Sequence, residues 1–369
     1  MDNEEMEHVK IFATKDAIFG YHGWPSVCRG VNNELLAVCS GKRLGHVCPF
    51  GKVMMSRSYD EGRRWTAPEI IMDTPLDDRD AGVTVFNKNM LIVTSFNHLI
   101  AVQREFAAEG FKKNMRDAYF SEGRISKEME DKYYGSTYVL SDDAGITWSE
   151  VMHAPVTAPH GPTALKNGGL IYMGNHKESC NKGITYNDPL NRYSKELMVY
   201  RSSDGIKWEY LSTVPYRTEQ GHEFVYCEPY ILELDNKLVG FIRVQGGVFD
   251  TFQTESSDSG KTWSVPRRIV TKGSPPHALR HSSGAVVLVY GYRSEPFGQR
   301  AKISYDDCVT WSSEVILRDD GVNSDLGYPC SAELKDHRIL TVYYQKENLE
   351  AMCEIFGTTW TLPEKGSKS

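Results

Sequence analysis

Short apolar runs in this chain come in pairs, each pair bent about a polar turn, and that pattern predicts β-hairpins. Strands are expected within Glu34–Cys39, at Gly82–Ser95 about Asn87-Lys88-Asn89, at Tyr230–Arg243 about Asp235-Asn236, and at Ala332–Tyr344 about Asp336-His337. Between the pairs a short sequence recurs. Ser-x-Asp-x-Gly-x-x-Trp stands at Ser58–Trp65, Ser141–Trp148 and Ser256–Trp263, in contracted form at Ser202–Trp208, and with Cys308 in place of glycine at Ser304–Trp311. From Trp to Trp the gaps are 83, 60, 55 and 48 residues. Each copy reads as a tight turn in which Asp accepts backbone N–H bonds, Gly takes the positive φ, and Trp folds back as a cover. Strand pairs punctuated at such intervals predict the blades of a β-propeller.

One segment departs from the pattern. Residues 103–133 are charged, poor in β-branched residues and helix-compatible, and they account for the longest gap between turns. An insertion there serves equally as a lid, an oligomer contact or a decorated surface loop.

Composition narrows the function classes. The chain is 40% hydrophobic and 25% charged, enough for a sizeable core, and its net charge of −7 comes without a basic run, which argues against nucleic acid as a partner. The acidic N-terminus lacks a secretory profile, and the longest apolar stretch, Gly284–Tyr292, is too short to cross a membrane. The expectation is a soluble cytoplasmic protein, or a secreted one if a leader has been removed. Eight dispersed cysteines without a CxxC pair are expected to be thiols. Phosphate loops, HExxH and GxSxG are absent from the sequence, and eleven histidines lie without ligand spacing, so neither a cofactor nor a catalytic metal is expected.

The five turns are Asp boxes. With the segments quoted below, the chain resembles the sialidase superfamily, specifically its bacterial BNR-repeat branch, from about Phe19 to Pro363. The resemblance implies an all-β, six-bladed propeller forming one domain over residues 1–369. It also implies a site of three arginines on the substrate carboxylate, a Tyr–Glu nucleophile pair and an Asp acid/base. A tyrosine suits this chemistry because the anomeric carbon of sialic acid already bears a carboxylate, which repels an anionic nucleophile.

By this resemblance Glu228, opening the hairpin that ends in Arg243, is the base for the phenol, and Arg243 binds the carboxylate. Arg300, just before the fifth Asp box, matches the third arginine, with Arg293 a nearby competitor. Tyr328, in Asp325-Leu-Gly-Tyr328-Pro, matches the nucleophile, and Arg43 matches a second arginine that contacts substrate hydroxyls. Two departures stand out. The first-blade stretch reads Tyr21-His22-Gly23-Trp24-Pro25, with His22 or Gly23 where an arginine is expected and Trp24 as a sugar contact. The following loop, Gly41–Gly51, holds no carboxylate for the acid/base, only His46.

The cluster Asp77-Asp78-Arg79-Asp80 offers replacements: Arg79 for the lost charge, Asp80 as acid or hydroxyl ligand. It reads equally as an exposed turn with a surface ion pair. His160 is a weaker candidate one blade later. The implied function is an exo-acting retaining glycosidase on a sialic acid or related acidic sugar, its partner being that glycan. Two alternatives stay open: a lyase acting on a uronate, and a non-catalytic sugar-binding propeller. Linkage and oligomeric state are undetermined by the sequence.

Overall fold

The repeated turns close on themselves. In the first, Ser58 Oγ accepts the Gly62 N–H at 2.9 Å, Asp60 Oδ1 accepts the Arg64 N–H at 2.8 Å, and Trp65 Nε1–H donates to Gly62 O at 3.0 Å. Gly62 has φ +85°, a conformation that only glycine adopts freely. In the last copy Cys308 takes the same role at φ +68°, donating its N–H to Ser304 Oγ at 2.8 Å. The motif tolerates the missing glycine at a cost of about 1–2 kcal/mol.

The computed structural model describes residues 6–12, 18–106, 119, 124–176, 196–217, 224–246, 248–363 and 365. It is a β-propeller of six antiparallel blades. From the centre outwards, blade I comprises Tyr21–Arg29, Leu35–Arg43, Lys52–Ser58 and Glu69–Met72, and blade II comprises Arg79–Phe86, Met90–Asn97, Gly135–Ser141 and Met152–His153. Blade III has a split inner strand, Val156–Thr157 and Thr163–Ala164, followed by Leu170–His176, Met198–Ser202 and Glu209–Thr213. Blade IV runs Val225–Glu233, Leu238–Gln245, Asp250–Ser256 and Arg267–Val270, and blade V runs Gly273–Arg280, Val286–Tyr292, Gly298–Ser304 and Val315–Arg318.

Blade VI explains why six blades carry five turns. Its first three strands are Gly327–Glu333, Ile339–Gln345 and Glu354–Trp360, but its outer strand is the N-terminal Glu7–Phe12. Each Asp box joins a third strand to a fourth, and here that connection does not exist. Glu7–Phe12 therefore pairs with Glu354–Trp360 and closes the ring.

The core lies between blades. Leu36, Val38 and Met55 of blade I pack on Val83, Leu91 and Val93 of blade II, and Leu35 and Ala37 pack on Cys330, Leu340 and Val342 of blade VI. Each buried side chain of this size contributes roughly 1.5–3 kcal/mol. Within the helix-compatible segment, helices form at Ile100–Phe106 and Lys127–Tyr133, the second capped by Ser126 Oγ accepting the Met129 N–H. Residues 107–118 and 120–123 lie outside the described residues. Tyr119 packs edge-on against Phe50, 4.8 Å between centroids, so the insertion abuts the loop that carries His46. Seven of the eight cysteines are free thiols, and Cys180 lies outside the described residues.

Candidate active site

The innermost strands converge on the axis, and five of them carry the same defect. Pairing with the second strand breaks after Gly23, Arg79, Cys227, Gly273 and Gly327 and resumes at Ser26, Gly82, Tyr230, Pro276 and Cys330. Two inner residues thus oppose one, a β-bulge that re-aims side chains. In four of these strands the first bulged residue is non-glycine with a left-handed φ: Trp24 (52°), Asp80 (47°), Glu228 (47°) and Tyr328 (51°). Such strain costs on the order of 1–3 kcal/mol per residue and clusters at functional sites. Proline follows at 25, 229, 275 and 329, where the broken ladder asks for no N–H. The pattern was present in the sequence as repeated X-Pro steps; only blade II breaks it, with Asp80-Ala81.

Three distant residues meet at these bulges. Tyr328 Oη donates to Glu228 Oε1 at 2.7 Å, and Arg243 Nη1 donates to the Tyr328 oxygen at 3.1 Å and to Glu228 Oε2. Arg243 is fully buried and Tyr328 nearly so. Burial, then the nearby Glu228 and Asp80 carboxylates, push the Tyr328 phenol well above its usual pKa, with Arg243 and Arg293 opposing, so the phenol is neutral.

The arginines divide differently from the family pattern. The Arg293 guanidinium lies 5.6 Å from the Tyr328 ring; its Nε donates to Leu326 O at 3.1 Å, and its buried Nη2 has no hydrogen-bond partner. Arg300 is turned away. Its guanidinium is spent on the carbonyls of Gln299, Arg318 and Pro296. Of the two competitors, Arg293 stands at the cluster. Arg43 is likewise occupied: Nη1 and Nη2 bind Asp77 at 2.6 and 2.9 Å, with Ser40 Oγ and His46 O taking further bonds. It has no free hydrogen-bonding face for a sugar hydroxyl.

A side chain at position 23 would meet the Tyr21 ring at 3.3 Å and Tyr344 at 3.9 Å. Trp24 is buried beside them, with Arg79 at 4.2 Å and Arg43 at 4.8 Å from its ring, two cations against one indole. Arg79 also donates to His46 O at 2.7 Å.

Asp77, Asp78, Arg79 and Asp80 are all buried, which corrects the reading of this cluster as an exposed turn with a surface ion pair. Asp80 Oδ1 has no hydrogen-bond partner. Burial raises the Asp80 pKa to about 7; Glu228 adds to the shift, while Arg79, Arg43 and Arg243 oppose it. His46 is half exposed, lies edge-on to Trp24 at 5.0 Å, and places Nδ1 3.2 Å from Asp325 Oδ1 and 3.0 Å from Tyr21 Oη. Its crowded surroundings lower its pKa, against the opposing pull of Asp325, and Arg79 and Arg43 lower it further.

His160 and His22 lie elsewhere. The first bonds Ser26 Oγ at 3.0 Å and lies edge-on to His277, and the second bonds Gly20 O. Asp325 and Tyr344 escaped the sequence reading, although Asp325 stands only three residues before Tyr328.

This fold is the six-bladed propeller that sialidases share. The chain belongs to the BNR repeat-like domain family, which matches residues 124–341. Among solved structures it is similar to a protein of unknown function from Dyadobacter fermentans DSM 18053, at 23% identity and TM-score 0.75, covering 97% of this chain and 99% of that one. It is similar to the NanB sialidase from Streptococcus pneumoniae at 14% identity and TM-score 0.64, covering 95% and 70%. It is also similar to the Trypanosoma rangeli sialidase at 16% identity and TM-score 0.61, covering 96% of this chain and 59% of that one. No curated protein matches.

Proposed function

We propose that this protein is a retaining exo-glycosidase acting on a sialic acid or related acidic sugar, with Tyr328 as nucleophile. The observation that carries the reading is the Tyr328–Glu228 hydrogen bond of 2.7 Å with Arg243 against both partners. It supplies a neutral nucleophile, a base to take its proton and a cation for the substrate carboxylate. Arg243 and Arg293 hold that carboxylate. Tyr328 Oη attacks the anomeric carbon as its proton passes to Glu228. The glycosidic C–O bond breaks, and the leaving oxygen takes a proton from His46 Nε2. Water then attacks the same carbon and gives its proton to His46 Nε2. The Tyr328–carbon bond breaks, and the phenol recovers its proton from Glu228.

His46 is assigned the acid/base role because it stands half exposed in the loop after the first-blade inner hairpin, edge-on to Trp24, whose ring lies 6.4 Å from that of Tyr328. Asp80 lines the floor as a hydrogen-bonding group. A leaving group of low basicity needs no acid. In His46→Gln, turnover of a nitrophenyl glycoside should therefore stay within about fivefold of wild type, while an alkyl glycoside loses ~10²-fold or more. The acid form of His46 is the active one, and its pKa is lowered from 6.5, so kcat/KM should fall as pH rises through a value below 6.5. A basic limb near 7 that vanishes in Asp80→Asn would give the role to Asp80 instead.

Arg293→Met is expected to raise KM for the acidic sugar by ~10- to 100-fold, with Arg300→Met leaving KM within about threefold. Equal effects would return the third arginine to Arg300. An unsaturated product absorbing in the ultraviolet would reassign the site to a uronate lyase. Calorimetry showing binding without turnover across acidic glycans would make it a sugar-binding propeller.

A further inference from the structure

We propose that Asp325 is the positioning residue for His46, locking its ring as the tautomer that carries hydrogen on Nδ1 and presents Nε2 to the cleft. The inference rests on the acid/base role proposed for His46 but is tested apart from it.

The argument is one of donor inventory. Asp325 takes four side-chain groups on one carboxylate. Its Oδ1 lies 3.0 Å from Tyr21 Oη, 3.2 Å from His46 Nδ1 and 3.3 Å from Tyr344 Oη, and its Oδ2 lies 3.3 Å from Cys353 Sγ. Burial alone would raise its pKa, but these bonds, led by the one with His46, hold it below the usual carboxylate range. The carboxylate is therefore ionised and can only accept.

Tyr21 is kept protonated by burial and by the neighbouring Cys353, Asp325 and Tyr344. Its single proton goes to Asp325, so towards His46 it offers only a lone pair at 3.0 Å. Both neighbours of His46 Nδ1 are thus acceptors, and Nδ1 must be the donor. In the neutral ring this leaves the Nε2 lone pair free to accept a proton, and in the charged ring it makes Nε2–H the group to give one. The charges facing the ring are Asp325 before blade VI, Arg43 from blade I and Arg79 from blade II; the two arginines favour the neutral ring and Asp325 the charged one.

The Asp325 carboxylate is itself held in place. The Asp325 backbone N–H donates to Asn323 Oδ1 at 3.0 Å, and Cys353, whose thiol bonds the carboxylate, accepts the His22 N–H through its carbonyl at 2.8 Å. The orienting group is thus tied into the joint between the first and last blades.

Nitrogen-resolved NMR of the full chain with labelled histidine tests this directly, with His46→Gln assigning the resonance. Above the ring's pKa, wild-type His46 should show a protonated Nδ1 and a bare Nε2, the reverse of the usual free-imidazole preference. In Asp325→Asn the amide can present either donor or acceptor, so the tautomers should mix and the titration midpoint should fall. A wild-type ring protonated on Nε2, or a midpoint unmoved in the variant, overturns the proposal. Should Asp325→Asn not fold, the wild-type tautomer decides alone.

Where turnover is measurable, Asp325→Asn should cut kcat ~10- to 100-fold on alkyl glycosides, spare nitrophenyl glycosides, and move the basic limb to lower pH. A protein without glycosidase activity but with the predicted tautomer keeps this inference and discards the catalytic reading.

Discussion

Tyr328→Phe is expected to lower kcat on a fluorogenic sialoside or uronide by ~10³-fold or more, since the Tyr328 hydroxyl bonds both Glu228 and Arg243. Glu228→Gln should lose a similar factor: the amide cannot take the phenolic proton, and Arg243 loses its carboxylate partner. Because the two residues act as one unit, the double variant should be no worse than about threefold below either single one. The measurement is initial rate on matched sialoside and uronide substrates, with folding checked by thermal melting. Turnover within tenfold of wild type in both single variants would remove Tyr328 from the mechanism.

Asp77→Ala should cost about 3–5 kcal/mol, because it leaves Arg43 charged and buried without its partner. Both side chains have zero exposure. The Asp77 carboxylate also accepts the Cys48 N–H at 3.0 Å, so its loss unpins the loop bearing His46. Chemical denaturation reads the effect, with Asp235→Ala as the control: its pair with Lys166 is exposed, and its loss should leave the midpoint near that of wild type. Gly51→Ala should be nearly as damaging as Asp77→Ala, since a Cβ there would stand 2.0 Å from Arg43 Nη1 and 2.5 Å from Asp77 Oδ1.

The pH dependence has a definite sign. Burial opposes ionisation of Asp77, but Arg43 and Arg79 hold its pKa below the model-peptide value, so its stabilisation is complete above about pH 4 and lost as pH falls through the folded value. Equal midpoints for Asp77→Ala and Asp235→Ala would show the buried pair to be energetically idle.

Much of the site could be read before the fold. Glu228, Arg243 and Tyr328 each stand beside a hairpin signal, and they meet as that reading required. The arginines were less legible for a physical reason. Arg300 and Arg293 lie on either side of one turn, and which guanidinium reaches the axis depends on strand register and on three backbone carbonyls that capture Arg300. Arg43 matched a family position but is spent on Asp77, a partner 34 residues away. Asp325 carries no motif; it matters because Tyr21, His46, Tyr344 and Cys353 converge on it from four separate segments.

The sequence alone determined the propeller. Its blades are local hairpins, and in each Asp box the Ser hydroxyl and Asp carboxylate bond within the turn, so the code for them is short-range. It also holds a mark of the strained inner-strand steps, since an X-Pro pair stands where four of the five broken ladders part. What only the tertiary structure decided is which charges remain available at the axis. Pairing between residues of different blades is set by closure of the ring, where Glu7–Phe12 joins Glu354–Trp360, and not by neighbours in the chain. Burial then chooses among the candidates: it consumes Arg43 and Arg300, leaves Arg293 and Arg243 beside Tyr328, and takes an apparent surface cluster at Asp77–Asp80 into the interior.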